Sequence, residues 1–291
     1  MLLKSLIYKG METISDLYPE REAREMVFAY LEDTAGVKRY THILEPECSI
    51  ADEKAAEIMA GFERMASGEP LQYVLGKAHF YGRAFHVTPA TLIPRPETEL
   101  LCRDVVEQAS VKGVKTPRIL DLCTGSGCIA WTLALEMPGA RVTAVDVSQD
   151  ALEVAQSQDF AEELSVVGAL APKFILNDIL ESPAGQLEKY DIIVSNPPYV
   201  MDSEKALMRR NVLEHEPHLA LFVSDEDPLI FYRAVALWAE KLLAEGGVGM
   251  VEINEALGQE TAAVFEGRGF VCVEVVKDFS GRDRFVRFRR K

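Results

Sequence analysis

The sequence lacks several features that would place it in a class at once. Its 291 residues contain no apolar run near the roughly 18 residues that a membrane span needs. The opening MLLKSLIYKG is too short and too interrupted for a signal peptide. Five cysteines, an odd number at irregular spacing, do not suit a disulfide framework. We therefore expect a cytoplasmic protein with reduced thiols and no membrane association.

Metal ligands at a useful spacing are also missing. Cys123 and Cys128 have no second cysteine pair and no histidine near them, which argues against a zinc site. His215 and His218 are the one close pair among five histidines, and Pro217 between them works against a shared helical face. We predict no metal site.

Positive charge is scarce. Lysine and arginine together number 31 against 46 aspartates and glutamates, which gives a net charge of −15. A protein that grips duplex DNA or bulk RNA needs many cationic contacts to phosphate. The basic segment at 282–291 alternates with Phe and Val, a pattern typical of an edge strand with a solvated face. Nucleic acid is therefore disfavoured as the main substrate.

The residues that are present predict a globular chain with a helical first part. Hydrophobic residues make up 48% and charged residues 26% of the sequence, as in folded proteins generally. Residues 1–75 have apolar side chains at helical spacing, with Val27, Tyr30 and Leu31 ahead of a stop at Gly36. Residues 76–92 mix aromatic and β-branched residues with Gly and predict a hairpin linker.

Residues 93–291 predict an α/β domain. Short apolar runs of the buried-strand type alternate with helical stretches, among them a helix predicted over 228–247, which indicates a parallel sheet covered on both faces. No helix-sized segment separates the last two runs, so we expect the last strand to be antiparallel. The runs are 118–122, 141–147, 173–178, 190–196, 247–253, 271–280 and 284–290.

A glycine loop follows the first of these strands. Gly125 and Gly127 open a helix directly after the strand that ends near Asp121, which allows a ligand to approach the backbone closely. The next strand ends in Asp146, where a carboxylate can accept both hydroxyl protons of a ribose. This order of strand, glycine loop and acid predicts a cofactor of the adenosine type.

The sequence SNPPYV at 195–200 follows the fourth strand. A rigid turn alone would account for Asn196 and the two prolines. However, Asn196 should lie at the same sheet edge as Asp121, Asp146 and Asp178. There, its side-chain oxygen and the Pro197 carbonyl can accept the two N–H bonds of a planar NH₂ group, which suits methyl transfer to a poorly nucleophilic nitrogen.

Motifs along nearly the whole chain resemble the HemK-type release factor glutamine N5-methyltransferases, which depend on S-adenosylmethionine. NPPY alone also occurs in adenine-N6 DNA methyltransferases, whereas PRPETE ahead of the glycine loop is more specific. The motifs are GEPLQYVLG (68–76), LIPRPETE (92–99), DLCTGSGCIA (121–130), VDVS (145–148), NPPYV (196–200), EPHLAL (216–221) and DFSGRDRF (278–285).

The resemblance implies a seven-stranded, Rossmann-like class I methyltransferase sheet with an antiparallel last strand and a small N-terminal helical domain that docks the substrate. It also implies a substrate, the glutamine in the Gly-Gly-Gln loop of bacterial-type peptide chain release factors. In this chain, the residues implied to bind S-adenosylmethionine are Asp121, Cys123, Thr124, Gly125, Ser126, Gly127, Asp146, Asp178, Ile179 and Asn196. Those implied to bind the glutamine amide or take part in catalysis are Asn196, Pro197, Pro198 and Tyr199, with Tyr199 packing against the planar group.

Two departures from the family pattern and one motif leave questions open. Cys123 stands where the family usually has Gly, and SDEDPL at 224–229 replaces a more usual DGL. In PRPETE, the prolines can form a stiff helix entry, or Arg95, Glu97 or Thr98 can belong to the cofactor site. Two other functions remain as alternatives: a nucleic-acid amino-group methyltransferase (adenine N6 or guanine N2), and a non-catalytic binding module.

Overall fold

A computed structural model describes residues 1–112, 115–183 and 188–291. The helices are α1 (Leu3–Ile14), α2 (Glu20–Ala35), α3 (Thr41–Leu44), α4 (Asp52–Ala66), α5 (Leu71–Leu75), α6 (Pro96–Lys112), α7 (Cys128–Glu136), α8 (Gln149–Gln156), α9 (Ala161–Val167), α10 (Arg210–His215), α11 (His218–Leu221), α12 (Ile230–Leu242) and α13 (Gly258–Glu266). The strands are β1 (Lys77–Phe80), β2 (Arg83–His86), β3 (Arg118–Leu122), β4 (Arg141–Asp146), β5 (Lys173–Leu176), β6 (Tyr190–Ser195), β7 (Val200–Met201), β8 (Phe222–Val223), β9 (Leu243–Glu252), β10 (Val271–Lys277) and β11 (Asp283–Arg289).

The chain forms two compact units. The first comprises Met1–Lys77 together with Met208–His215, and the second comprises Ala78–Leu207 and Glu216–Lys291. The sequence-based boundaries at 75 and 92 did not anticipate that a segment beyond residue 200 groups with the first unit.

The first unit is helical. Helix α2 carries Val27 and Leu31 on its buried face and ends at Gly36, as the spacing predicts. These residues share a core with Leu6 of α1 and Phe62 of α4. Each helix is amphipathic, so burying these faces against one another stabilises helices that would be marginal alone.

The second unit is built on a seven-stranded sheet in the order β10-β11-β9-β6-β3-β4-β5. Four neighbouring pairs in this sheet are parallel: β3 with β4, β3 with β6, β4 with β5, and β6 with β9. The last strand, β11, runs antiparallel to both β9 and β10. The prediction of an α/β sheet with an antiparallel last strand is confirmed.

Helices cover both faces of this sheet. One core cluster includes Leu101 of α6 and Trp131 of α7, and the other includes Trp238 of α12 and Phe265 of α13. Because β3 lies between β4 and β6, the chain reverses its direction of strand addition there. In open α/β sheets, the crevice outside the carboxyl ends of the strands at such a point is where ligands bind.

The helix predicted over 228–247 is too long. Helix α12 ends at Leu242, and β9 starts at Leu243, whose backbone is already extended. The pairing of β6 with β9 shifts register between Tyr190 and Ile192, which face Leu243 and Val248 respectively. Gly246 takes a positive φ of 69° inside this irregular stretch, a conformation that glycine adopts readily.

Candidate active site

The glycine loop connects β3 to α7 through three residues with positive φ. Cys123, Gly125 and Gly127 have φ angles of 62°, 55° and 77°. A Cβ on Gly127 would lie 3.0 Å from the Ala155 Cβ and 3.1 Å from the Trp131 Cδ1, so a side chain there would have to displace one of these neighbours. Cys123 adopts a conformation that favours glycine, which is the residue usual at this position in the family that the sequence resembles.

Asp146 ties the end of β4 to this loop. Its Oδ2 accepts a hydrogen bond from the Gly125 N–H at 2.8 Å, and its Oδ1 accepts one from the Ser148 N–H at 3.0 Å. Burial raises the pKa of Asp146, while the backbone bonds to Ser148 and Gly125 counteract part of that rise. Each carboxylate oxygen retains further acceptor capacity, and the side chain lines the cavity described below.

Asp121 has different surroundings, although the sequence places it in the same group. It is fully buried, and its Oδ2 accepts a hydrogen bond from the Thr124 hydroxyl at 2.6 Å. Its Oδ1 has no partner among the described residues. Burial raises the pKa of Asp121 to about 7, against the lowering effect of the Thr124 bond. Asp121 therefore holds the loop in place through Thr124 and does not line the cavity.

Asn196 follows the last residue of β6 and faces the cavity. Its Nδ2 donates to the Thr98 Oγ1 at 3.2 Å, and the Thr98 hydroxyl in turn donates to the Glu252 Oε2 at 2.7 Å. The Tyr199 hydroxyl donates to the other carboxylate oxygen, Oε1, at 3.0 Å. Both ends of NPPY are thus connected to one buried carboxyl group.

A cavity of about 300 Å³ brings most of the predicted residues together. Those that line it are Cys123, Thr124, Gly125, Ser126, Asp146, Asp178, Ile179, Asn196 and Pro198. Four predicted residues are not part of the lining: Asp121, Gly127, Pro197 and Tyr199. The ring of Tyr199 packs against the core cluster of α12 and α13. Its contact with the site is the hydrogen bond from its hydroxyl to Glu252.

The PRPETE motif, whose role the sequence left open, contributes Arg95 and Thr98 to the cavity wall. Arg95 forms an ion pair of 2.6 Å with the Oε1 of Glu216, and the Glu216 Oε2 accepts from the Ile93 N–H at 3.2 Å. Glu97 is exposed and lies outside the lining. The motif therefore serves both as a helix start and as part of the site wall.

Sequence reasoning missed Glu252 and Glu216. Glu252 is 1% and Glu216 4% exposed, and each bonds to PRPETE more than 120 positions away in the chain. One signal was available: Glu252 is the one charged residue in the apolar run GVGMVEI (247–253). A carboxylate inside such a run needs polar partners, because burying it unpaired is costly.

The donor and acceptor set of the cavity suits an adenosine-type cofactor. Asp146 offers acceptors for ribose hydroxyls, and Gly125 leaves open space where a side chain would project. The buried Ile179 and the half-buried Phe231 give an apolar wall for a planar base. Pockets that hold cofactors commonly combine such apolar walls with a few polar groups.

Comparison with known proteins agrees with this geometry. Residues 97–220 match the family described as methyltransferase small domain, and residues 11–76 match the PrmC N-terminal domain. The release factor glutamine methyltransferase of Flavobacterium psychrophilum is 38% identical over 99% of each chain. That of Bacteroides thetaiotaomicron is 39% identical over 96% of this chain and 97% of its own.

This chain belongs to the release factor glutamine methyltransferase family. Among solved structures, the Thermus thermophilus 16S rRNA N2 G1207 methyltransferase, in complex with AdoMet and guanosine, has a TM-score of 0.51. Its sequence is 20% identical to this one, and the matched region covers 74% of this chain and 50% of the Thermus chain. This likeness concerns the fold alone. The protein-(glutamine-N5) methyltransferase of Alicyclobacillus acidocaldarius is 31% identical over 71% of this chain and 99% of its own, with a TM-score of 0.41.

The described part of this family member has neither a cluster of metal ligands nor a helix that could span a membrane. Within residues 1–112, 115–183 and 188–291, no group of three or more His, Cys, Asp or Glu side chains could hold a metal ion. His215 ends α10 and His218 begins α11, so the pair is split between two helices. No helix in the same residues is both long and apolar enough to cross a bilayer.

Proposed function

We propose that this protein transfers a methyl group from S-adenosylmethionine to the side-chain amide nitrogen (N5) of the glutamine in the Gly-Gly-Gln loop of peptide chain release factors. The observation that carries the proposal is Asn196, whose amide faces the same cavity as Asp146 and the glycine loop. The near full-length relatives named release factor glutamine methyltransferase support the choice of substrate. Translation termination places this reaction in the cytoplasm.

The cavity residues would divide the cofactor among them. The Asp146 carboxylate would accept the ribose hydroxyls, and Asp178 and Ile179 would lie beside the adenine. Residues 123–127 would line the methionine part. When bound, S-adenosylmethionine supplies an electrophilic methyl group on a positively charged sulfur. The residues of this chain contribute by holding the acceptor nitrogen in position and keeping water away.

Asn196 would bind the substrate amide. The Asn196 Nδ2 is already hydrogen-bonded to Thr98, so its Oδ1 is available to accept an N–H of the glutamine side chain. The Pro197 carbonyl would accept the second N–H. An amide nitrogen is a weak nucleophile because its lone pair is delocalised, and two acceptors favour the positive charge that develops on it. Pro198 forms part of the wall, and Tyr199 anchors the turn through Glu252.

The alternatives are weaker. A nucleic-acid amino-group methyltransferase would share NPPY and the fold, but the net charge of −15 opposes binding to phosphate. A non-catalytic binding module would not need Asp146 at the glycine loop, nor the Asn196 amide held by Thr98 so that it faces the cavity.

Incubation with labelled S-adenosylmethionine and either purified release factor or total nucleic acid tests the proposal. We expect label in the factor and none in nucleic acid. Asn196→Ala should lower kcat by on the order of 10²–10³, with cofactor affinity within about tenfold of the wild type. Label in nucleic acid instead of the factor would refute the proposed substrate. An Asn196→Ala variant that methylates the factor at the wild-type rate would reduce NPPY to a strand-ending turn.

A further inference from the structure

A chain of three side chains runs from the core to the substrate end of the cavity. Glu252, at the end of β9, accepts from Thr98 of α6, and Thr98 accepts from the Asn196 amide. Thr98 is 2% and Glu252 1% exposed. Asn196 belongs to NPPY and Thr98 to PRPETE, whereas Glu252 lies in neither motif.

The chemistry of Glu252 fixes the direction of these hydrogen bonds. Both Glu252 oxygens receive a hydroxyl proton, one from Tyr199 and one from Thr98, so the carboxylate acts here as an acceptor on each side. Burial raises the pKa of Glu252, and these two hydroxyl bonds counteract part of that rise. The Thr98 hydroxyl has a single proton, which it donates to Glu252. Its oxygen can therefore meet Asn196 only as an acceptor, and the NH₂ end of the Asn196 amide must face it.

The opposite arrangement would change what the cavity offers. If the Thr98 proton pointed at Asn196, the amide would turn so that its oxygen faced Thr98 and its NH₂ group took the other position. A substrate NH₂ would then meet a donor in place of an acceptor. The two amide orientations have nearly the same shape, so packing alone does not select between them.

We infer that Thr98 and Glu252 are positioning residues, which hold the Asn196 amide with its oxygen available to the NH₂ group of the acceptor substrate. The inference rests on the proposed function, since it concerns the same transfer. It also explains a buried carboxylate whose direct hydrogen-bond partners in the described structure are two hydroxyl groups. Arg284, whose neighbour Phe285 pairs with Glu252 across β9 and β11, forms its own ion pair with Asp278 at 3.1 Å.

Replacing Thr98 tests the inference. Thr98→Val keeps the shape but removes the hydroxyl, and we expect kcat on the release factor to fall about 10- to 100-fold. The KM for the factor and the Kd for S-adenosylmethionine should stay within about threefold, because the change acts on amide orientation. Thr98→Ser restores the hydroxyl and should recover activity to within about threefold of the wild type.

Thr261→Val provides a matched control. Thr261 is a fully buried threonine of α13, and its hydroxyl has no partner in the described residues. The same loss of a buried hydroxyl, away from the cavity, should leave kcat, KM and cofactor affinity at wild-type values. A drop in kcat common to both valine variants would indicate a structural effect and overturn the inference.

Asn196→Asp gives a second measurement that does not depend on how Thr98→Val folds. Aspartate offers an acceptor at both positions, but its second oxygen would face a Thr98 oxygen whose proton is donated to Glu252. This oxygen–oxygen repulsion removes the bond that holds the side chain in place, so we expect Asn196→Asp to be as poor as Asn196→Ala. Substantial activity of Asn196→Asp, within about tenfold of the wild type, would contradict the inference, as would wild-type kcat in Thr98→Val. A wild-type protein that fails to methylate the factor at all would instead refute the proposed function.

Discussion

Asp121 and Asp146 both lie at the ends of strands on the same sheet edge, but their surroundings differ. Asp146 lines the cavity and is held by two backbone N–H groups. Asp121 is fully buried beneath the loop with one hydroxyl partner. The sequence predicted that both acids belong to the site, but it could not separate a ligand-facing acid from a supporting one, because both are strand-end residues.

Removing Asp146 should weaken cofactor binding. Asp146→Ala eliminates charge-assisted hydrogen bonds to the ribose, and we expect a loss of about 1.5–3 kcal/mol in binding free energy. Isothermal calorimetry with S-adenosylmethionine measures it directly. The exposed Asp159→Ala removes the same charge elsewhere and should bind as the wild type does. Unchanged affinity in a folded Asp146→Ala variant would exclude Asp146 from the site.

Asp121 should make the apoprotein less stable as pH rises. Burial raises the pKa of Asp121 to about 7, well above its value in an unfolded chain, so the folded state binds more protons between roughly pH 4 and pH 7. The free energy of unfolding therefore falls as pH increases through this window, by up to about 4 kcal/mol at about 1.4 kcal/mol per pKa unit. Burial raises the pKa of Glu252 and Asp146 as well, which acts in the same direction.

Urea unfolding at several pH values checks this dependence. Asp121→Asn has no proton to lose, so its stability should vary less between pH 5 and pH 8, whatever its absolute value. An equally steep pH dependence in Asp121→Asn and the wild type would show that Asp121 is not the group responsible.

At the scale of elements, the strand and helix pattern was predictable where apolar runs are flanked by clear breaks. Strands β3 and β6 agree closely with the predicted runs. The boundary between α12 and β9 was not predictable, because LLAEGG is compatible with a helix end and the sheet pairing that begins at Leu243 is a long-range contact. The pairing of Thr98 with Glu252 was hidden for the same reason: neither local sequence indicates a partner 154 positions away.

The start of α7 should be intolerant of any side chain at Gly127. Gly127→Ala combines the strain of a φ of 77° with a Cβ about 3 Å from the Ala155 Cβ. Gly168, which ends α9, has a φ of 69° but nothing within 4 Å of the corresponding Cβ. We expect Gly168→Ala to cost about 1 kcal/mol in unfolding free energy and Gly127→Ala to cost about 2–4 kcal/mol. Equal costs in urea unfolding would mean that the loop can relax away from the contact.

At the scale of the whole molecule, the chain combines two compact units with a net charge of −15. Similarity to the family covers 99% of the chain and includes both the helical and the α/β parts. The charge of −15 and the helical N-terminal region were readable from composition and spacing. The grouping of Met208–His215 with the first unit could not be predicted from the sequence, since it depends on how the chain folds.

The helical unit should be needed for docking of the macromolecular substrate. We expect a chain that begins at Ala78 to bind S-adenosylmethionine but to lose much of its activity on the intact release factor, because the cavity lies wholly within the second unit. Calorimetry, together with circular dichroism to verify folding, separates these effects. Full activity of the folded truncated chain on intact factor would contradict a docking role.

The most direct test of the account is to locate the transferred methyl group. After reaction of the protein with S-adenosylmethionine and intact release factor, tandem mass spectrometry of the factor's peptides assigns the modified residue. We predict one added methyl group on the side-chain amide of the glutamine in the Gly-Gly-Gln loop, formed far more slowly when Asn196 is replaced by alanine. A methyl group on any other residue, or an unmodified glutamine beside methylated nucleic acid, would contradict it.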